Sequence, residues 1–281
     1  QALLPLRRLS QEVNKIEVQN LSEALEVPAT NDEISRLTVS FNKMLARLDE
    51  AFTAQKQFSA NAAHELRTPL AVIQTNLEVF ARREAPALKD YQEIFAMLQE
   101  QTGRLSHLAE ILLDMTGVQT VERSERISLA ALTDEVFCDL ASVAEQKEVE
   151  LIQQEGDCII TGSYLLLYRA VYNLVENAIK YNHSGGKVTV NIHLSEEITD
   201  TSTSVNYVFL EVSDTGIGIP PEYQEKIFTP FFRVDKSRSR AMGGAGLGLA
   251  LVSEIVRQHN GQVKVLESSK KGSIIAIMLP V

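Results

Sequence analysis

Tryptophan is absent from this chain of 281 residues, and cysteine occurs only at Cys138 and Cys158. The two cysteines form no CxxC pair and no metal-ligand spacing, so they read as small buried residues of a reducing compartment and not as a disulfide framework or a zinc module. Long apolar runs are missing too. No uncharged stretch approaches the ~20 residues needed to cross a bilayer. Positive charge is the minority, 27 Lys and Arg against 37 Asp and Glu, for a net charge of −10. That balance argues against nucleic acid or an anionic membrane surface as the main partner. The chain begins at Gln1 without a signal-peptide pattern, and it reads as a soluble piece of a longer protein. Its length and its 44% hydrophobic content call for more than one domain.

The first part reads as helix. Residues 1–50 give two helical pieces, one over about 5–19 and one capped by Asn31 or Asp32, joined by a connector with Leu21, Leu25, Val27 and Pro28. The second carries Leu37, Phe41, Met44, Leu48 and Ala51 at spacings of 4, 3, 4 and 3. So narrow a stripe predicts association with other helices. The pattern continues into Ala63, Leu66, Leu70, Ile73, Leu77 and Phe80 and ends near Ala81. A turn at Glu84-Ala85-Pro86 leads to a second long helix with Ile94, Leu98, Gln101, Leu105, Leu108, Leu112 and Met115. Two such helices make an antiparallel hairpin, and pairing two hairpins in a homodimer buries both stripes as a four-helix bundle. Gly117 and the polar residues 119–126 read as a hinge.

From 127 the texture is that of an α+β domain, an open mixed sheet backed by helices. Helices are expected over 129–146, 164–181 and 247–259. Strands are expected at 150–152, 158–160, 188–194, 208–212, 262–266 and 273–279, with 195–206 as a flexible polar excursion.

Five motifs carry candidate chemistry. In HELRTPL (64–70), His64 sits one position past a stripe residue, at the edge of the seam, with Glu65 beside it and Thr68 on the same face. Pro69 has no N–H for the Glu65 carbonyl and is expected to bend the helix. A surface histidine on a bundle helix is the plain alternative. In NLVENAIKY (173–181), Asn173, Asn177 and Lys180 share one helix face, which offers oxygen ligands to a hard cation and positive charge to phosphate, or simply a solvated polar face. DTGIGIP (214–220) follows a strand. Its glycines let backbone approach a ligand, and Asp214 can accept a bond from an exocyclic amine. FTPFFR (228–233) is an aromatic cluster with Arg233. GGAGLGLALV (243–252) opens a helix, where freed amides and the helix dipole favour an anion. No Lys-Ser or Lys-Thr follows, which excludes a Walker loop, and too little chain remains for a dinucleotide-binding βαβ unit.

In this order and spacing the motifs closely resemble the sensor histidine kinases of two-component systems, over essentially the whole chain. The resemblance implies a HAMP-like signal relay at 1–50, a dimerisation and phosphoacceptor hairpin at 51–118, a hinge at 119–126, and at 127–281 an ATP-binding domain of the kind shared with gyrase B and the Hsp90 chaperones. It implies His64 as the nucleophile for the γ-phosphoryl of ATP, Glu65 as its acidic neighbour and Thr68 as the residue that places water for dephosphorylating the partner. Asn177 would hold Mg²⁺ with Asn173 beside it. Lys180, Tyr181 and Arg233 would contact phosphates or nucleotide. Asp214 would read the adenine amino group in a pocket shaped by Gly216 and Gly218, with Ser273 where the family often has threonine. Gly244, Gly246, Leu247 and Gly248 would cradle the phosphates, and 234–242 would form a mobile lid. A response regulator is the implied partner and the cytoplasmic face of the membrane the implied location, reached through transmembrane segments outside this sequence. The alternatives are a nucleotide-sensing pseudokinase scaffold and a phosphatase-dominant sensor.

Overall fold

The computed structural model describes residues 23–28, 33–117, 121–198, 204–234 and 245–281. The helix expected over 5–19, the cap at Asn31 or Asp32, Gly244 and the lid residues 235–242 lie outside them. Two compact units divide the chain, 1–65 and 66–281.

Helix α1, Glu33–Ala81, is unbroken through Pro69. In the first unit Leu25 and Leu45 are buried, with Ile34 and Phe41 against them. Asn42 holds the connector by its backbone. Its Oδ1 accepts from the Leu25 N–H at 2.8 Å and its Nδ2 donates to the Leu25 carbonyl at 2.9 Å. Ser35 caps this contact by donating to the Pro28 carbonyl at 2.9 Å. The face that meets the connector is Ser35, Thr38 and Leu45, while the predicted stripe residues Leu37, Met44 and Leu48 are exposed.

The second unit contains the end of α1 and α2, Leu88–Gly117. Along this end of α1, Leu70 and Leu77 are 49% and 42% exposed, so the seam is left open within one chain. On α2, Gln101, Leu108 and Ile111 are buried. The helices are joined at the turn by Phe80 and Tyr91, stacked edge to face at 5.0 Å.

The remaining elements are β1 (Glu125–Ser128), α3 (Leu129–Gln146), β2 (Glu150–Gln153), β3 (Ile159–Gly162), α4 (Tyr164–Lys180), β4 (Lys187–Ile198), β5 (Ser204–Asp214), two 3₁₀ turns (Pro221–Tyr223, Lys226–Phe228), α5 (Gly248–Gln258), β6 (Gln262–Ser269) and β7 (Gly272–Pro280). The main sheet has the order β2-β4-β5-β7-β6; β2 runs parallel to β4 and the other pairs are antiparallel, while β1 and β3 form a separate pair. Helix α4 buries Leu166, Leu167, Ala170, Val171, Leu174, Val175, Ala178 and Ile179 at helical spacing. These meet Val188, Val190, Ile192, Val208, Leu210 and Val212 from the sheet and Leu251, Val252, Ile255 and Val256 from α5, all buried. Each buried Leu, Ile or Val among them stabilises the fold by about 1.5–3 kcal/mol. Ser128 caps α3 by accepting from the Ala131 N–H.

Three expectations change. Glu125 and Arg126, read as hinge, are strand residues paired with Gly162 and Thr161. Of the residues 195–206, read as a flexible excursion, 195–198 and 204–206 are strand: Ser195 pairs with Tyr207, Glu196 with Asn206, Glu197 with Val205 and Ile198 with Ser204, because a two-stranded ladder is built from backbone bonds and needs no apolar alternation; 199–203 lie outside the described residues. Cys138 is exposed; only Cys158 is buried, and both are free.

His259 ties the end of α5 to the start of α4. Its Nδ1 lies 2.8 Å from the Ile255 carbonyl, to which it can only donate, and its Nε2 accepts from the Ser163 N–H at 3.1 Å. That pattern requires a neutral ring. Burial, with the charge of Arg123 adding to it, holds the imidazole below its ordinary pKa against the opposing bond to Ile255. A methyl on Gly162 would meet this ring at 2.9 Å.

Candidate functional site

The site is organised by the second half of α4. Asn173 donates from Nδ2 to the Arg169 carbonyl and Asn177 to the Asn173 carbonyl, each at 2.8 Å. With one N–H of each carboxamide engaged on its own helix, Oδ1 is the acceptor that each side chain can offer a cation. The N-terminus of α5 packs on this face so closely that a Cβ on Gly248 would lie 2.5 Å from Asn173 Oδ1 and 3.6 Å from Asn177 Nδ2. Glycine at 248 therefore keeps the first turn of α5, with its orphan amides, beside the two carboxamides. Leu247 is the N-cap and its side chain is buried in the core, so only its backbone can face a ligand.

FTPFFR reaches the same place from the other side. The Phe231 N–H donates to the Gly246 carbonyl at 2.8 Å, and Gly246, at φ 73°, would carry a Cβ only 2.7 Å from the Phe232 carbonyl oxygen. Phe231 itself adopts φ 64°, a left-handed conformation that a bulky residue rarely takes. Such strain of about 1–3 kcal/mol collects at functional sites. Arg233 has Nε and Nη2 buried with no hydrogen-bond partner among the described residues. Buried guanidinium donors aimed at nothing are the complement of an anion. Lys180 lies in the field of Arg233, and its Nζ sits 5.9 Å from the centroid of the Tyr181 ring. Burial lowers its pKa, Glu176 opposes this, and Arg233, Arg104 and Lys147 add to it.

At the far end, Asp214 closes β5, paired in register with Ser273 on β7 and Val188 on β4. Its carboxyl pKa is raised, first by burial. The N–H groups of Gly216 and Ser273 and the charge of His183 hold it down. The Gly216 N–H reaches Asp214 Oδ1 at 2.7 Å. The DTGIGIP loop is pinned to α4 by the Ile217 N–H, which donates to the Tyr181 carbonyl at 3.2 Å. Gly218, at φ 71°, sits where a Cβ would overlap the Ser269 carbonyl at 1.8 Å. Thr215 and Asn182, which no motif reading singled out, brace the loop: Thr215 Oγ1 donates to Asn182 Oδ1 at 3.0 Å and accepts from the Lys187 N–H at 2.8 Å.

Asn173, Asn177, Lys180, Tyr181, Asp214, Gly216, Gly218, Arg233, Gly246, Leu247, Gly248 and Ser273 thus belong to one contiguous region. Gly244 lies outside the described residues. His64, Glu65 and Thr68 lie together on α1, with His64 and Thr68 exposed and Glu65 half-buried. Among the described residues no cluster of three His, Cys, Asp or Glu side chains could hold a metal ion. Oxygen ligands for a cation here are carboxamides. The same residues contain no helix long and apolar enough to cross a membrane.

Comparison with known proteins assigns the three parts. The family model described as Histidine kinase-, DNA gyrase B-, and HSP90-like ATPase matches residues 162–281, the His Kinase A (phospho-acceptor) domain matches 54–120, and the HAMP domain matches 1–50. Sensor histidine kinase CusS of Escherichia coli (strain K12) is 31% identical over 279 residues, 98% of this chain and 56% of the relative. Sensor protein CutS of Streptomyces coelicolor is 33% identical over 282 residues, 99% of this chain and 66% of the relative. The chain spans little more than half the length of several curated relatives it matches. Among solved structures, the Acinetobacter baumannii histidine kinase AdeS matches with a TM-score of 0.58 at 24% identity, over 77% of this chain and 97% of that one. Histidine kinase ThkA, solved in complex with response regulator protein TrrA, matches with a TM-score of 0.62 at 22% identity, over 89% and 68%. At these identities the structural likeness speaks for the fold. An ATP-binding domain behind a phosphoacceptor hairpin and a HAMP segment places the chain in a family: it belongs to the sensor histidine kinases of two-component systems.

Proposed function

We propose that this chain phosphorylates His64 from ATP and hands the phosphoryl group to an aspartate of a response regulator, as the signalling part of a membrane sensor. The observation that carries this reading is the meeting of the two carboxamides, the α5 N-terminus and Arg233, whose buried Nε and Nη2 have no hydrogen-bond partner among the described residues. Together they form a site for a polyanion with a hard cation.

In this reading a carboxyl oxygen of Asp214, oriented by the Gly216 N–H, accepts from the exocyclic amine of the purine. Lys180, Arg233 and the amides at 246–248 neutralise the phosphates, and Asn177 with Asn173 supplies oxygen ligands for Mg²⁺, which would neutralise charge on the phosphates as it does in phosphoryl transfer generally. The lone pair of an imidazole nitrogen of His64 attacks the γ-phosphorus. The N–P bond forms, the bond to the bridging β–γ oxygen breaks, and ADP leaves with that electron pair. Glu65 stabilises the imidazolium-like state. Thr68, one helical turn away on the same face, is the residue for placing water when the regulator is dephosphorylated. The open seam of α1, with Leu70, Leu77 and Val79 exposed, fits a homodimer in which a second hairpin covers it.

Replacing Asn177 with Ala tests the site. ATP affinity in the presence of Mg²⁺ is expected to fall about 10- to 100-fold, while metal-free nucleotide binding changes little. Equal affinity with and without the substitution in Mg²⁺ would remove Asn177 from the metal role.

A further inference from the structure

Outside the five motifs, one side chain touches the purine end of the site from two directions. Ser268, near the end of β6, accepts from the Ile219 N–H at 2.6 Å and shares a hydrogen bond of 3.0 Å with the Ser273 hydroxyl. Ser273 is buried, and its own N–H bonds the Asp214 carboxylate. The loop that Ser268 holds has no slack: the Gly218 backbone lies against the Ser269 carbonyl, and Gly272, at φ 131°, lies against the Asp214 carbonyl. Ser268, Asp214 and Ser273 also line the same cleft of about 500 Å³. One hydroxyl therefore joins the downstream end of DTGIGIP to the strand that orients Asp214.

We infer that Ser268 is a positioning residue for nucleotide binding. It sets the 214–220 loop against β7, so that the Asp214 carboxylate and the Gly216 and Gly218 backbone present one fixed shape to the purine. The inference rests on the proposed reading of this loop as the purine end of the site. Ser268 touches no reacting atom. Its loss loosens ground-state recognition and leaves the chemical step alone. Removing one ordinary hydrogen bond, about 1 kcal/mol, corresponds to roughly fivefold in affinity.

The test uses the full chain with Ser268→Ala, Ser268→Thr and Asp214→Asn, reading KM and kcat for ATP in autophosphorylation, affinity for ATP and for GTP, and thermal stability. The expected result is a KM for ATP raised about fivefold in Ser268→Ala with kcat unchanged, a smaller preference for ATP over GTP, and recovery of both in Ser268→Thr, which keeps the hydroxyl. Unchanged KM and purine preference in Ser268→Ala, where Asp214→Asn loses ATP binding, overturns the role of Ser268 alone. A fall in kcat at constant KM, or equal damage by alanine and threonine, overturns it as well, the latter because space and not the hydroxyl would then matter. If Asp214→Asn binds ATP as well as the parent chain, the reading of the loop itself fails.

Discussion

Gly216 offers the sharpest steric test of the site. A methyl group there would lie 2.4 Å from the Tyr181 carbonyl oxygen and 2.8 Å from Asp214 Oδ1. Comfortable carbon contacts lie near 3.5–4.0 Å, so something must shift. Gly216 is not among the positive-φ glycines, so alanine is not disfavoured by the backbone and the whole effect comes from contact. Two shifts can relieve it. Moving Tyr181 disturbs the carbonyl that accepts from Ile217, and moving the loop breaks the 2.7 Å bond from the Gly216 N–H to Asp214. Overpacking costs about 1–3 kcal/mol and a hydrogen bond to a charged group is worth about 1.5–3. Because relaxation trades one against the other, Gly216→Ala should weaken ATP binding by about 2–3 kcal/mol, roughly 30- to 150-fold. Titration calorimetry on the full chain measures it. Gly103→Ala is the control: nothing lies within 4 Å of its Cβ in the middle of α2. It should leave ATP affinity unchanged and raise the melting temperature, since alanine is better than glycine in a helix by about 1 kcal/mol. ATP affinity in Gly216→Ala equal to that of Gly103→Ala would refute the packing argument.

Two other perturbations read the scaffold. His259 is held neutral, below its ordinary pKa, so between its folded value and the unfolded one near 6.5 the unfolded chain binds more protons. Its contribution to stability is complete above about pH 6.5 and is lost as pH falls below it, with a slope of at most about 1.4 kcal/mol per pH unit. Urea midpoints measured from pH 8 to 5 should show this slope in the parent chain and a flatter one in His259→Gln; identical profiles would remove His259 as the cause. Asp114 on α2 pairs with Arg169 on α4, both partly buried. A double-mutant cycle with Asp114→Ala and Arg169→Ala, followed by urea unfolding, should give a coupling of about 1 kcal/mol, and simple additivity would mean that the pair contributes nothing.

Much of this fold is legible because its signals are local. The α4 stripe and its Asn173–Asn177–Lys180 face follow from helical periodicity alone, and the long α1 and α2 follow from spacings of 3 and 4. β1 escapes because it has four residues and only Ile127 is buried, too little alternation to register. The outer half of the β4–β5 hairpin escapes because Ser195, Glu196, Glu197, Ser204 and Asn206 give no apolar alternation to mark a ladder made by the backbone. The left-handed Phe231 has no sequence signal, since its conformation comes from the bond to Gly246. Ser268 and the Asp114–Arg169 pair are long-range relations, visible only once β6 lies beside β7 and α2 beside α4. The motifs name the candidate residues, and the packing of the strands and helices adds the contacts that hold them in place.

The central claim is that His64 receives the γ-phosphoryl group of ATP. Incubating the full chain with γ-labelled ATP and Mg²⁺, then treating the denatured product with acid or alkali, measures it directly. The account predicts one label per active chain, lost in acid and stable in alkali, and absent from His64→Gln, which still binds ATP. Labelling of His64→Gln at the parent level, or free phosphate released with no labelled protein, would contradict it.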